Sequence, residues 1–298
     1  MRGLAFCPAH VTGFFKAELN DQLSNPEEFG SVGAGFSIQE GVTTKVQVDY
    51  SEKLDYKISI SGYKSENTRV SEFVIKEFFK IVKDRKFFID VKHEISIPVG
   101  YGLGCSGAVA LSLAMALNEA LNTNLSKEKV GQIAHNAEVS CKTGLGDVLA
   151  SYHGGFEIRT KPGAPGIGAL EKVESDTEAI LICFSPISTQ KFIDEKIETI
   201  NGLGGKMVSK LVQTKDYNDF QDMSLEFAKY VKVMTPKMSS VIDDLQKNGI
   251  KCGIALFGET VFTLIPKTLE SKVLQILEKY SDGIVIKSKI DNKGARLQ

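Results

Sequence analysis

The sequence predicts an α+β protein of two domains. Three observations carry this expectation. The chain is 298 residues long, against a usual domain size of ~150 residues. Its first half mixes period-two, strand-like stretches with helical spacing, whereas its second half is mostly helical. Between the halves, Lys161-Pro-Gly-Ala-Pro-Gly166 reads as a linker, because proline and glycine punctuate regular structure. The expected units are residues 1–160 and 161–298.

In chain order, residues 2–6 predict a short strand that stops at Cys7-Pro8, followed by a compact turn over 9–15. The polar stretch 18–35 predicts a loop. Residues 34–38 and 42–48 predict a hairpin across Gln39-Glu40-Gly41, and Val42, Val46 and Val48 share one face of its second strand. Residues 56–60 alternate again. Over 67–83 the apolar positions Val70, Phe73, Val74, Phe78 and Ile81 fall at helical spacing. A strand over 87–91 leads to three glycines and an Ala- and Leu-rich helix at 106–121. Ser126 is a good N-cap for the next helix, whose apolar face runs through Val130, Ile133, Ala134, Ala137 and Cys141. Glu138 lies at the edge of that face. A short helix from Asp147 and a strand over 156–159 precede the proline-rich stretch. Beyond it come strands at 179–184, 251–257, 261–265 and 284–287, and helices at 189–199, 204–213, 217–232, 237–247 and 267–280.

Composition removes several function classes. Thirty-six Lys and Arg against 37 Asp and Glu leave a net charge of −1, with no basic stripe for a nucleic acid. No apolar run is long enough to span a bilayer, and the first residues do not read as a signal peptide. The five cysteines are scattered, which fits a reducing cytoplasm. The four histidines are dispersed too, so no zinc site is expected; His93, His135 and His153 read as structural or exposed.

The chemistry concentrates at Pro98-Val-Gly-Tyr-Gly-Leu-Gly-Cys-Ser-Gly107. Gly100, Gly102 and Gly104 let the backbone turn sharply and approach a ligand closely. Leu103, Cys105, Ser106 and Gly107 complete a loop that runs into a helix start, where unpaired N–H groups favour an anion such as a phosphate. The stretch satisfies a dinucleotide-binding pattern by letter, but the acidic residue that pattern needs after a second strand is missing. The lysine of the ATP-binding P-loop is missing as well.

The chain resembles the superfamily of galactokinase, homoserine kinase, mevalonate kinase and phosphomevalonate kinase (GHMP kinases), and within it the archaeal pantoate kinases. The resemblance rests on Pro8-Ala-His-Val-Thr-Gly-Phe-Phe15, residues 98–107, Ala137-Glu138 through Thr143-Gly-Leu-Gly-Asp147, and Gly154-Gly-Phe-Glu-Ile-Arg159 with Lys161-Pro-Gly-Ala-Pro-Gly166. A looser match covers Gly253-Ile-Ala-Leu-Phe-Gly258. The chain departs from the superfamily in having Pro8-Ala9-His10 where Pro-Gly-Lys is frequent, and Cys105 where serine is common.

The resemblance implies a two-domain GHMP-kinase-like fold with the active site in the cleft between domains, and ATP-dependent phosphorylation of the terminal hydroxyl of pantoate, giving 4-phosphopantoate for coenzyme A synthesis. It implies ATP phosphates on residues 100–107 and Mg²⁺ at Ser106 and Glu138. Asp147 would be the base for the attacking hydroxyl, although an aspartate at a helix start can equally be an N-cap. Arg159 would grip the substrate carboxylate; a surface pair with Glu157 is the alternative. His10 and Thr12 are candidates for substrate contact, Phe14 and Phe15 for apolar contact or core packing, and residues 50–68 for the adenine site. Another small hydroxy acid, such as mevalonate or shikimate, is the alternative acceptor. A catalytically silent sensor on the same fold is the alternative from another class. The resemblance also admits a homodimer.

Overall fold

A computed structural model describes residues 1–19, 25–64, 67–82, 86–187 and 189–298. Residues 20–24 of the expected loop, residue 83 of the expected helix, and residues 65–66 lie outside the described residues. The first part of the chain forms β1 (Arg2–Glu18), β2 (Gly30–Tyr50), β3 (Asp55–Gly62), α1 (Arg69–Ile81), β4 (Phe87–Ile95), α2 (Cys105–Leu121), α3 (Lys127–Cys141), α4 (Asp147–His153), β5 (Phe156–Lys161) and β6 (Ala169–Val173). The remainder forms β7 (Glu178–Pro186), α5 (Thr189–Thr214), α6 (Tyr217–Tyr230), α7 (Pro236–Lys247), β8 (Gly253–Ala255), β9 (Gly258–Ile265), α8 (Glu270–Leu277), β10 (Ile284–Lys289) and β11 (Arg296–Leu297). No described helix is long and apolar enough to cross a membrane.

Two sheets organise these elements. The first has the order β11-β1-β2-β4-β3, with β5 paired to β2 and β6 to β5; the second has the order β10-β7-β9-β8. The proline-rich residues after Lys161 connect β5 to β6 inside the first sheet, and the chain reaches the second sheet only after Val173. The helix α2 lies buried against the first sheet, and the amphipathic helices α6 and α7 bury Leu225, Ala228, Val241 and Leu245 against the second. Phenylalanines join the two: Phe36 meets Phe262 edge-on at 5.0 Å between ring centres, and Phe220 stacks on Phe262 at 5.6 Å. This continuous core fixes the walls of the cleft above it.

Three expectations about the chain path are corrected. The strand expected over 2–6 runs on to Glu18, through the residues expected as a turn. Its register slips between Pro8 and Ala9 and between Thr12 and Phe14, and proline, which has no N–H to give, belongs at such a slip. Because Cys7 to Phe15 are buried on both faces, the segment lacks the alternation that marks a strand. The hairpin expected across 39–41 is one long strand, β2. Gly41 marks close packing there: a Cβ on it would lie 2.1 Å from the Cys7 carbonyl oxygen. Likewise, the two helices expected over 189–213 are a single helix, α5. Gly204 lets that helix press on β1, since a Cβ would meet the Phe15 carbonyl oxygen at 2.0 Å.

Candidate active site

Between the end of β4 and the start of α2, Gly100, Gly102 and Gly104 have φ of 88°, 79° and 59°. Side chains other than glycine rarely adopt such angles. The loop is pinned from both sheets. Ile187 N–H donates to the Gly100 carbonyl (2.9 Å), Thr260 Oγ1 to the Tyr101 carbonyl (2.9 Å), and His10 N–H to the Leu103 carbonyl (3.2 Å). The α2 helix then begins with no side-chain cap and no acidic residue in its first turn. Its free N–H groups and dipole are therefore available to an anion.

A cavity of about 310 Å³ opens over this loop. One end is walled by Ile60, Val70, Ile95, Val99 and Val109, with the polar Asn67, Arg69 and Ser71 among them. The other end is made by Gly100, Gly102, Leu103, Gly104, Cys105, Ser106, Thr143 and Asp147. Gly107 does not line the cavity; it lies beneath, where a Cβ would stand 3.2 Å from the Asp147 Cβ and 3.4 Å from Glu138 Oε2.

Glu138, on α3, is only 2 % exposed. Its Oε1 accepts from Thr143 Oγ1 at 2.5 Å, while its buried Oε2 has no partner. Burial, reinforced by the charge of Asp147, pushes its pKa up to about 7, although Thr143 and Ser106 oppose the shift. Gly144 keeps the space at Oε2 open, since a Cβ there would lie 2.2 Å away. A buried, half-satisfied carboxylate beside the Ser106 end of the phosphate loop fits Mg²⁺, which takes one or two carboxylates alongside phosphate oxygens and water.

Asp147 is the first residue of α4; Gly146, not Asp147, holds the N-cap position. Its side chain instead reaches His10, with Oδ1 at 2.7 Å from Nδ1. The other ring nitrogen of His10 lies 2.9 Å from Glu157 Oε1, and Arg159 Nη1 donates to that same oxygen at 2.5 Å. Both ring nitrogens thus face carboxylates and both must donate, which makes the ring an imidazolium. Burial alone would lower the pKa of His10, but the bonds to Asp147 and Glu157 outweigh it and the net shift is upward. Burial would raise Asp147, yet His10, with Arg159 and Thr12, holds it below the ordinary value.

His10 itself is 0 % exposed and lines neither the large cavity nor the narrow pocket described below. The expectation that it contacts substrate finds no support in these linings: β1 carries it beneath Asp147, whose carboxylate it hydrogen-bonds. Arg159 is 1 % exposed, so its pair with Glu157 is internal, not the surface pair weighed above. Its Nε has no partner, and the residue opens onto a narrow second pocket with Ser31, Phe15 and Gly144 to Gly146. Phe14 packs in the core against Phe220 and Phe227. Thr12, Asp147 and Phe257 line both the large cavity and the narrow pocket, and so mark their junction.

Sequence reasoning missed Ser31, Thr143 and Phe257 as wall residues, and Glu157 as a member of the ionic row. Thr143 stands in the stretch ending at Asp147 without a role of its own there, and Ser31 carries no local signal. Phe257 does, in the structure: its φ of 67° is rare for a bulky side chain and such strain gathers at functional sites.

The GHMP kinases N terminal domain matches residues 69–155. A pantoate kinase of Methanocaldococcus jannaschii is 33% identical over 92% of this chain and 96% of its own. One of Thermococcus kodakarensis is 27% identical, over 92% of this chain and 91% of its own. A solved structure described as a phosphotransferase related to the CoA biosynthesis pathway superposes with a TM-score of 0.89 at 26% identity, covering 100% of this chain and 99% of that one. The chain belongs to the pantoate kinase family of the GHMP kinases.

Proposed function

We propose that the protein transfers the γ-phosphoryl group of ATP to the terminal hydroxyl of pantoate, giving 4-phosphopantoate and ADP for coenzyme A synthesis. The observation that carries this reading is the junction at Asp147, where a cavity with a phosphate loop meets a pocket containing a buried arginine. Residues 1–160 supply that loop, the metal ligands, the base and the arginine, and residues 161–298 close the cleft with Ile187 and Phe257.

In this reading, residues 100–107 hold the triphosphate and Arg159 presents its free Nε edge to the acceptor carboxylate. Thr12 borders both substrates. Ser106 and Glu138 would hold Mg²⁺, which neutralises phosphate charge when bound. The hydroxyl oxygen attacks the γ-phosphorus, the bond from that phosphorus to the β,γ-bridging oxygen breaks, and ADP leaves. Asp147, kept ionised by His10, receives the hydroxyl proton. A carboxylate in that state is a competent acceptor at neutral pH. A cytoplasmic location and a homodimer belong to the same reading.

The test is ADP release by the purified chain with ATP, Mg²⁺ and a panel of pantoate, mevalonate, homoserine, shikimate and pantothenate. Turnover should be largest with pantoate. Clear turnover of another member with none for pantoate would move the assignment to that acceptor. Specific ligand binding without turnover of any acceptor would favour the sensor.

A further inference from the structure

Behind the end of the cavity that Ser71 lines runs a row of polar side chains that phosphoryl transfer does not use. Ser112 in α2, Thr44 in β2, His93 in β4 and Ser71 in α1 are 0 %, 0 %, 1 % and 3 % exposed. Ser112 Oγ lies 2.7 Å from the Ala108 carbonyl oxygen, and Thr44 Oγ1 lies 2.7 Å from Ser112 Oγ. Thr44 Oγ1 is also 2.7 Å from His93 Nδ1, and His93 Nε2 is 3.1 Å from Ser71 Oγ.

Each of these contacts needs one proton between its two atoms, because two lone pairs at such distances repel. The carbonyl of Ala108 can only accept, so the single hydroxyl proton of Ser112 goes there. Thr44 must then donate to Ser112, and His93 Nδ1–H must donate to Thr44. That leaves a lone pair on His93 Nε2, which accepts from Ser71. The reverse polarity would leave the Ser112–Ala108 contact without a proton. Burial pushes the pKa of His93 down to about 4, which keeps the ring neutral, as one proton per ring requires. The proton of Ser71 is therefore directed inward, and only its oxygen lone pairs are available to the cavity it lines.

This inference rests on the reading that a nucleoside triphosphate fills the cavity, with phosphates at the glycine loop and the base among Ile60, Val70, Ile95 and Val99. We propose that Ser71, held as a pure hydrogen-bond acceptor by the buried Ser112–Thr44–His93 row, selects a purine with a 6-amino group over one with a 6-oxo group. Adenine offers an N–H donor at that position. Hypoxanthine and guanine offer a carbonyl, whose lone pairs would face those of Ser71.

The experiment is calorimetric binding of ATP, purine riboside triphosphate (hydrogen at position 6) and ITP (oxygen at position 6) to the full chain. The unsubstituted protein should bind ATP about 10-fold more tightly than purine riboside triphosphate, the usual worth of one hydrogen bond, and ITP more weakly still. Ser71→Ala should bring the first two affinities together. Thr44→Val removes the acceptor of His93 Nδ1–H, lets the ring carry its proton on Nε2, and frees the proton of Ser71; the gap between ATP and ITP should narrow. Equal affinities in the unsubstituted protein, or an undiminished ATP advantage in Ser71→Ala, would overturn the proposal while leaving the kinase reading intact. Failure of all three nucleotides to bind would overturn both.

Discussion

Replacing His10 by glutamine removes the cation between two buried carboxylates. Asp147 and Glu157 carry the negative charges, and His10 and Arg159 the positive ones, so the row is neutral as built. Glutamine leaves it with one uncompensated negative charge. Hydrogen bonds to charged groups contribute roughly 1.5–3 kcal/mol each, and breaking a buried ion pair from one side costs about 3–5 kcal/mol. The variant should therefore melt roughly 5–10 °C lower. Asp147 loses its orienting partner, and a misplaced base costs on the order of 100-fold in kcat. The pH dependence gives a sharper test. His10 is raised above its ordinary 6.5, so its contribution is complete below that value and is lost as pH rises through the raised one. Asp147 is lowered from 3.8, so its contribution is present above that value and is lost as pH falls through the lowered one. Steady-state rates with ATP and pantoate, scanned from below 3.8 to well above 6.5 in pH, should fall on the alkaline side in the unsubstituted enzyme as pH passes the raised value of His10. His10→Gln should lose that alkaline fall and shift the acid limb of the rate upward in pH. His10→Lys, which restores a cation, should recover part of the rate. An unaltered kcat and acid limb in His10→Gln would refute the positioning role.

Other substitutions separate the remaining roles. Asp147→Asn should lower kcat by about 10²–10⁴-fold with little change in the KM for ATP; steady-state kinetics decide, and a normal rate removes the base. Arg159→Ala should raise the KM for pantoate by about 10–100-fold, the range of a lost charge-assisted contact; an unmoved KM rejects the carboxylate clamp. Gly146→Ala would put a Cβ 2.5 Å from Ser31 Oγ and 2.8 Å from Arg159 Nε. It should weaken pantoate far more than ATP, and equal loss of both in binding measurements would place the acceptor elsewhere.

The phosphate loop was legible because its chemistry is local. Glycines at 100, 102 and 104 followed by a helix predict a tight strand-to-helix turn from backbone preference alone, and the φ angles agree with that turn. The helix α1 was legible locally too, from apolar spacing. The path of β1 and β2 was not. Strands buried on both faces lose their alternation, and Gly41 and Gly204 resemble breakers unless the backbone they press against is known.

The sequence by itself determined that a glycine loop joins a strand to a helix, and its motifs pointed to a kinase of this superfamily. It could not determine what His10 does. A histidine between Ala9 and Val11 has no local clue to carboxylates 137 and 147 residues away. Only the pairing of β1 with β2, and of β2 with β5, brings His10, Glu157 and Arg159 beneath Asp147. The same holds for Ser71, His93, Thr44 and Ser112, four unremarkable residues until the first sheet, α1 and α2 bring them into one row. Local backbone preferences act over a few residues, whereas ionisation and hydrogen-bond polarity depend on partners that only the tertiary fold assembles.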